Sequence, residues 1–119
     1  MACVLAFVDD LFFQAKILET AKQVGVEVRT YSTGDTLLAE IAKKMPQLVI
    51  VDLNARNHPL DLIRSVHAAA KELKVIAYLS HLQVHLAQQA RDAGCGQVMA
   101  RSQFTHDLAT ILTAAKSHP

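Results

Sequence analysis

The stretch Leu48-Val49-Ile50-Val51-Asp52-Leu53 indicates how this chain folds. Four aliphatic residues in succession, without a polar interruption, are typical of a parallel strand that is buried on both faces. The run then reaches an acidic residue, Asp52, where a strand would leave the sheet. The segment therefore predicts a central strand of a parallel sheet with a carboxylate at its carboxyl end.

Short apolar runs and longer amphipathic segments alternate along the rest of the chain. Four further runs have the length of strands: Cys3–Val8, Val26–Tyr31, Val75–Leu79 and Gln97–Ala100. After each of the five runs, apolar residues recur at helical spacing. These faces are Phe13, Ile17 and Val24; Leu37, Leu38, Ile41 and Ala42; Leu62, Ile63, Val66 and Ala70; Leu82, Leu86, Ala90 and Ala93; and Phe104, Leu108, Ile111 and Ala115.

Residues that typically begin and end helices lie at the boundaries of these predicted helical segments. Gly25 and Gly94 follow the first and fourth helical segments, at positions suited to left-handed C-caps. Thr33 or Asp35 can cap the second helix, and Pro59 suits the first turn of the third. The helix ends therefore agree with the division drawn from the apolar pattern.

Five strands alternating with five helices predict right-handed βαβ units and a sheet covered on both faces. The fold class is α/β, a flavodoxin-like (βα)5 three-layer sandwich whose parallel sheet has the order 2-1-3-4-5. Residues 1–119 are expected to form one domain, because the chain has the length of one core and shows no linker or repeat. In this fold, ligands bind beyond the carboxyl ends of the strands, between strands 1 and 3.

The composition argues against several classes of protein. A formal net charge of +1 and an aromatic content of 5% do not suit a nucleic-acid-binding surface. No apolar run reaches the roughly 18 residues that a membrane span needs. Cys3 and Cys95 are too few for a disulfide scaffold and lack metal-site spacing. We therefore expect a cytoplasmic protein that contacts neither nucleic acid nor membrane.

The predicted strand ends carry polar side chains. Strand 1 leads into Asp9 and Asp10, strand 3 into Asp52, strand 4 into Ser80 and strand 5 into Arg101. Three carboxylates at the switch point repel one another unless a cation neutralises them, and Mg²⁺ suits such oxygen ligands. A carboxylate beside this ion can attack a phosphoryl group and form an aspartyl phosphate. A hydroxyl and a cation can then stabilise the charge.

These residues together resemble the receiver domains of response regulators in two-component signalling. The resemblance rests on Val8-Asp9-Asp10 after strand 1, Val49–Leu53 along strand 3, Ser80 after strand 4 and a cation after strand 5. It covers the whole chain, in order and with near-typical spacing. Aspartate at a strand end is common, so each motif alone is weak, whereas the full set on one five-unit frame is specific.

The resemblance implies a role for each position. Asp52 would accept the phosphoryl group, Ser80 matches the hydroxyl switch residue, and Arg101 stands where the family has a near-invariant lysine. The expected ligands of the Mg²⁺ cofactor are Asp9, Asp10, Asp52 and the main-chain carbonyl of Asn54. Apart from its own phosphorylation, the protein would not be an enzyme.

Some positions at the strand ends depart from the family pattern. Arg101 is longer and more planar than lysine, and it could pair with Asp52 or Asp10 and hold the site closed. Ser102 replaces the proline that usually follows the lysine. Val98 occupies the position of the aromatic switch residue on strand 5, so the usual coupling from hydroxyl to aromatic ring is missing.

Other departures lie in the loops. After Asp52 the sequence reads Asn54-Ala55-Arg56-Asn57-His58-Pro59, without the family's usual proline and glycine pattern. His81 stands where the family prefers a small residue, and it could narrow the access of phosphodonors. His81 also lies four residues before His85, a spacing found in zinc sites, but with no obvious third ligand solvent-facing histidines are the default.

Three functions remain open. The first is a stand-alone receiver, phosphorylated on Asp52 by a histidine kinase or phosphotransfer protein. It would signal to a downstream protein through the face formed by helix 4, strand 5 and helix 5, as a monomer or weak homodimer. The alternative is a phosphorylation-independent pseudo-receiver that acts as an interaction module. A minor alternative is a small metal-dependent hydrolase on the same fold, although no nucleophile–base pair supports it.

Overall fold

A computed structural model describes residues 3–80 and 83–116. Strands and helices alternate as β1 (Cys3–Phe7), α1 (Leu11–Val24), β2 (Glu27–Tyr31), α2 (Gly34–Lys43), β3 (Leu48–Asp52), α3 (Pro59–Ala69), β4 (Val75–Leu79), α4 (Val84–Asp92), β5 (Gln97–Ala100) and α5 (Arg101–Lys116). The strands form one parallel sheet in the order β2-β1-β3-β4-β5. The predicted fold class and strand order are therefore confirmed.

Helices cover both faces of the sheet because successive side chains of a strand point to opposite sides. Along β3, Ile50 belongs to one core and Val49 and Val51 to the other. The first, the α1/α5 core, includes Ile17 and Leu108; the second, the α2/α3/α4 core, is assembled from those three helices. β3 and β4 are buried along their whole length, as the apolar run predicted for a central strand.

Three of the four predicted helix ends are confirmed. Gly25 caps α1 in the left-handed region at φ +75°, and its N–H bonds back into the helix. Thr33, rather than Asp35, is the N-cap of α2 and accepts a hydrogen bond from a backbone N–H of the first turn. Pro59 begins α3. The prediction for Gly94 is wrong in its position, because Ala93 is the C-cap of α4 in the right-handed region and Gly94 follows it with φ +114°.

The helical faces differ from the predicted ones at a few positions. Ala42 is exposed, whereas Ala87 and Leu112 are buried although the spacing did not select them. In α5 the core stripe continues from Leu108 to Leu112, because a step of four residues keeps the face aligned better than the step of three to Ile111. Leu82 lies outside the described residues. Within the described ranges, no helix combines the length and the apolar character that crossing a membrane requires.

Candidate functional site

Asp52 ends β3 at the carboxyl edge of the sheet. It is 8% exposed, and it is the one charged residue classed as buried among those described. Its Oδ1 accepts a hydrogen bond from the backbone N–H of Asn54 at 2.8 Å. Burial raises the pKa of the Asp52 carboxyl, and the charges of Asp9 and Asp10 raise it further against the opposing effects of the Asn54 bond and Arg101. The three predicted carboxylates therefore interact electrostatically.

Asp10 has two separate contacts. As the N-cap of α1, its Oδ1 accepts hydrogen bonds from the backbone N–H groups of Phe12 and Phe13, at 3.0 and 3.2 Å. Its Oδ2 accepts from Arg101 Nη2 at 3.0 Å. The bond from Phe13, followed by the one from Arg101, lowers the pKa of the Asp10 carboxyl. One carboxylate thus begins the first helix and also holds the arginine of the last.

Arg101 is the first residue of α5 and follows β5 without a loop. Of the two partners considered for it, the structure selects Asp10, with one guanidinium nitrogen in contact. The guanidinium carbon also lies 4.5 Å from the centre of the Phe13 ring, within the range of a cation–π contact. Arg101 therefore connects the acidic edge to an aromatic side chain of α1.

Asn54 and Asp9 tie the loops around Asp52 together. The Asn54 side chain accepts from the backbone N–H of Ser80 at 2.7 Å and donates to the Gln83 side chain at 2.9 Å. Asp9 Oδ2 accepts from the backbone N–H of Arg56 at 2.9 Å. The sequence drew attention only to the main-chain carbonyl of Asn54. The sequence did contain a signal for this side-chain link, because the amide of Asn54 comes two residues after Asp52 at the strand end.

The loop between β3 and α3 has an uncommon backbone conformation. Asn57 and His58 are consecutive non-glycine residues with φ +65° and +62°. Asparagine tolerates this region, and the Asn57 side chain is anchored by donating to the Ser32 carbonyl at 2.7 Å. Two such residues in succession mark a strained segment beside the site. His81, and with it the spacing to His85, lies outside the described residues.

An aromatic residue that the sequence did not single out lies beside Asp52. Tyr78 of β4 is the register partner of Asp52, and its ring centre is 4.9 Å from that of Phe13 and 4.8 Å from that of Phe104. The signal was a tyrosine in an otherwise aliphatic strand, two residues before Ser80. Val98, at the expected switch position, is partly buried against the α2/α3/α4 core.

The carboxylates are not gathered around one point. Among residues 3–80 and 83–116, no three His, Cys, Asp or Glu side chains form a group that could hold a metal ion. Each of the three predicted carboxylates instead accepts hydrogen bonds from protein donors. Their chemistry still suits a hard cation, because carboxylate oxygens that repel one another at a single edge are the ligands such an ion prefers.

Three solved structures of response regulators or their receiver domains superpose on this chain. The chemotaxis response regulator CheY4 of Vibrio cholerae superposes with a TM-score of 0.82 at 20% identity, over 97% of this chain and 98% of that one. The receiver domain of NtrX from Brucella abortus gives 0.80 at 21% identity, over 98% and 99%. The Mn²⁺-bound form of the response regulator Rcp1 gives 0.77 at 14% identity, over 98% and 93%. The chain therefore has the receiver-domain fold.

One curated protein is similar in sequence to part of this chain. The transcriptional activator protein ExaE of Pseudomonas putida is 31% identical over 74 residues, which are 60% of this chain and 35% of ExaE. The chain thus spans about a third of that relative, and it covers 27% of the NtrX chain crystallised with ADP. No protein-family model matches the sequence. The resemblance to receiver domains is confirmed in the fold of this chain.

Proposed function

We propose that this domain is a response-regulator receiver that accepts a phosphoryl group on Asp52 and signals by protein contact. The observation that carries the proposal is the position of Asp52: a buried carboxylate at the end of the central strand, influenced by the charges of Asp9 and Asp10. This edge of the fold is where the topology places ligand sites.

The proposed reaction is phosphoryl transfer from a phosphohistidine of a histidine kinase or phosphotransfer protein. A carboxylate oxygen of Asp52 attacks phosphorus, an O–P bond forms, and the P–N bond to the donor breaks. The donor imidazole leaves with the bonding electron pair. Two groups of this chain are suited to stabilising the charge on the transferred group: the Ser80 hydroxyl and the Arg101 guanidinium.

The proposed cofactor is Mg²⁺. Its ligands would be the oxygens of Asp9, Asp10, Asp52 and the Asn54 main-chain carbonyl. A bound divalent ion supplies positive charge that offsets the carboxylates and the phosphoryl oxygens. In this structure Arg101 supplies a positive charge to Asp10, so that cation binding would compete with the ion pair. The Mn²⁺-bound Rcp1 structure supports a divalent ion on this fold.

The signal is proposed to reach a downstream protein through the face of α4, β5 and α5. β5 is an edge strand of the sheet, with Gln97 and Ala100 exposed. An exposed strand edge offers backbone and side-chain groups to a partner. The domain would act in this way as a monomer or weak homodimer.

A second candidate function is a pseudo-receiver that works without phosphorylation. The contact that favours it is the Arg101–Asp10 ion pair, in which a protein cation neutralises a carboxylate expected to bind the metal. The hydrogen bonds that Asp9 and Asp52 accept from backbone N–H groups also favour the pseudo-receiver. In that case the acidic site would be a structural connection among β1, β3 and α5.

Mg²⁺ titration followed by NMR or calorimetry separates the two functions. For a receiver, Asp52→Asn weakens binding about tenfold or more, because ligand charge sets the affinity of such sites. Asp61→Asn is the matched control, since Asp61 lies exposed on α3 in an ion pair with Arg64. Asp52→Asn should also raise the midpoint of thermal unfolding, because it removes a buried and repelled charge. That rise shows that the variant is folded.

Phosphorylation is measured on the same proteins. Incubation with phosphoramidate and Mg²⁺ should add one phosphoryl group to the wild type and to Asp61→Asn, and none to Asp52→Asn, by intact-mass spectrometry. A phosphorylated phosphotransfer protein serves as a second donor, so that the result does not depend on a small donor alone. Absence of Mg²⁺ binding and of phosphorylation in the wild type would establish the pseudo-receiver instead.

A further inference from the structure

The hydroxyl of Tyr78 is an exception in the packing of this protein. The residue is 1% exposed, and its Oη is the buried side-chain polar atom that has no hydrogen-bond partner within the described part of the chain. Buried polar groups nearly always have a partner, so a lone exception requires a physical reason. Packing in this core does not require a hydroxyl, because Phe104 stacks on the Tyr78 ring and has no polar side-chain atom.

The position of Tyr78 connects it with Asp52. The two residues are register partners on adjacent parallel strands. Ile50 and Ile76, two residues earlier on each strand, both belong to the α1/α5 core, so Asp52 and Tyr78 are directed to that same face. Phe13 and Phe104 fix the ring from two sides, with centres 4.9 and 4.8 Å away.

The electrostatic surroundings of the hydroxyl are those of the acidic site. Burial raises the pKa of Tyr78, and the charged groups that act on it are Asp52, Arg101, Asp10 and Asp9. The hydroxyl therefore belongs to a neutral residue next to Asp52 in the sheet, and it has no acceptor among residues 3–80 and 83–116.

We propose that the Tyr78 hydroxyl is a hydrogen-bond donor for phosphorylated Asp52, which prolongs the life of the phosphorylated state. In the unphosphorylated chain Asp52 Oδ1 accepts from the Asn54 N–H, while the Tyr78 hydroxyl makes no hydrogen bond to any described residue. Phosphorylation adds phosphoryl oxygens to the Asp52 side chain and so brings new acceptors to this donor. This role rests on the proposed function, since it requires that Asp52 be modified.

The test uses beryllofluoride with Mg²⁺, a stable mimic of the aspartyl phosphate, on the full chain. Tyr78→Phe removes only the hydroxyl and keeps the aromatic stack. The matched control is Tyr31→Phe, on β2 at the far side of the sheet. The chain has two tyrosines and no tryptophan, so that Tyr31→Phe also leaves Tyr78 as the sole tyrosine. Its ultraviolet absorption should shift to longer wavelength when the hydroxyl begins to donate.

The expected result is that Tyr78→Phe binds beryllofluoride about tenfold or more weakly, as for the loss of a hydrogen bond to a charged group. The aspartyl phosphate should be correspondingly shorter-lived, while unliganded thermal stability is unchanged or higher. Tyr31→Phe should bind as the wild type does and show the absorption shift. If Tyr78→Phe binds beryllofluoride as tightly as the wild type does, and Tyr31→Phe shows no absorption shift, this role is overturned and the proposed function stays intact. Absence of binding by the wild type overturns both.

Discussion

The two faces of the sheet are packed with different side chains. The α1/α5 core holds three aromatic rings, Phe13, Tyr78 and Phe104, whose centres lie 4.8 to 6.1 Å apart. The α2/α3/α4 core is aliphatic around one fully buried ring, Phe7. Arg101 extends from the acidic site onto the aromatic side, over Phe13.

The two faces also differ in the groups that they place at the acidic site. The aromatic face contributes the charge of Arg101 and the hydroxyl of Tyr78. The aliphatic face contributes neutral hydrogen bonds, chiefly those of the Asn54 amide with Ser80 and Gln83. Substitutions in the two cores should therefore cost similar stability and differ in what they do to the site.

The largest effect is expected from truncation of the two cores. Phe104→Ala and Ile63→Ala each empty a position that is fully buried, and they should lower the free energy of unfolding by about 3–5 and 2–5 kcal/mol respectively. Only Phe104→Ala releases the Tyr78 ring, so only this variant should also weaken the binding of beryllofluoride in the presence of Mg²⁺. Urea unfolding and beryllofluoride titration measure the two quantities. An equal loss of beryllofluoride affinity in both variants would contradict the distinction between the faces.

A smaller effect is expected at the glycines that follow α4 and α1. A Cβ at Gly94 would clash with the His67 side chain, whose Cβ and Nδ1 would be 2.7 and 2.8 Å away, at φ +114°. Among the described residues, a Cβ at Gly25 would meet only the flexible end of Lys116, at 3.6 Å. Gly94→Ala should therefore cost about 2–3 kcal/mol and Gly25→Ala about 1–2 kcal/mol. Chemical denaturation compares them, and an equal loss would show that His67 moves aside freely.

The sequence predicted the sheet well because the apolar runs that mark strands and the helical spacing between them are both local patterns. The bounds of β4 and β5 agree at both ends with the apolar runs Val75–Leu79 and Gln97–Ala100. Pro59 and Gly25 have backbone preferences that hold in any surroundings, so the helix ends they mark were predictable. The strand order followed from the regular alternation, since few topologies satisfy right-handed crossovers.

Parts of the site were not predictable because they depend on side-chain placement. Arg101 is long enough to reach either of two carboxylates, and its choice of Asp10 depends on where Phe13 supports the guanidinium. The Asn54 link depends on how closely two loops approach. The missing partner of Tyr78 is visible only once all neighbouring donors and acceptors are placed. The assignment of the Mg²⁺ ligands and of Asp52 as acceptor stays a prediction.

The smallest effect on stability is expected from Arg101→Lys, which introduces the residue typical of receiver domains at this position. The Arg101–Asp10 pair is partly exposed, with side chains 38% and 37% accessible, so the ion pair and the contact with Phe13 together stabilise the fold by about 1 kcal/mol. Lysine keeps the charge but not the planar group that lies over Phe13.

If the ion pair competes with a cation, Arg101→Lys should bind Mg²⁺ more tightly, by about two- to fivefold, the ratio that corresponds to loss of this weak interaction. Arg64→Lys is the control, because its pair with Asp61 is exposed on α3 and includes none of the predicted ligands. Calorimetry of both variants measures the change. Unchanged affinity in Arg101→Lys would mean that the arginine does not control access to the carboxylates, and the difference between the two faces would then rest on Tyr78 alone.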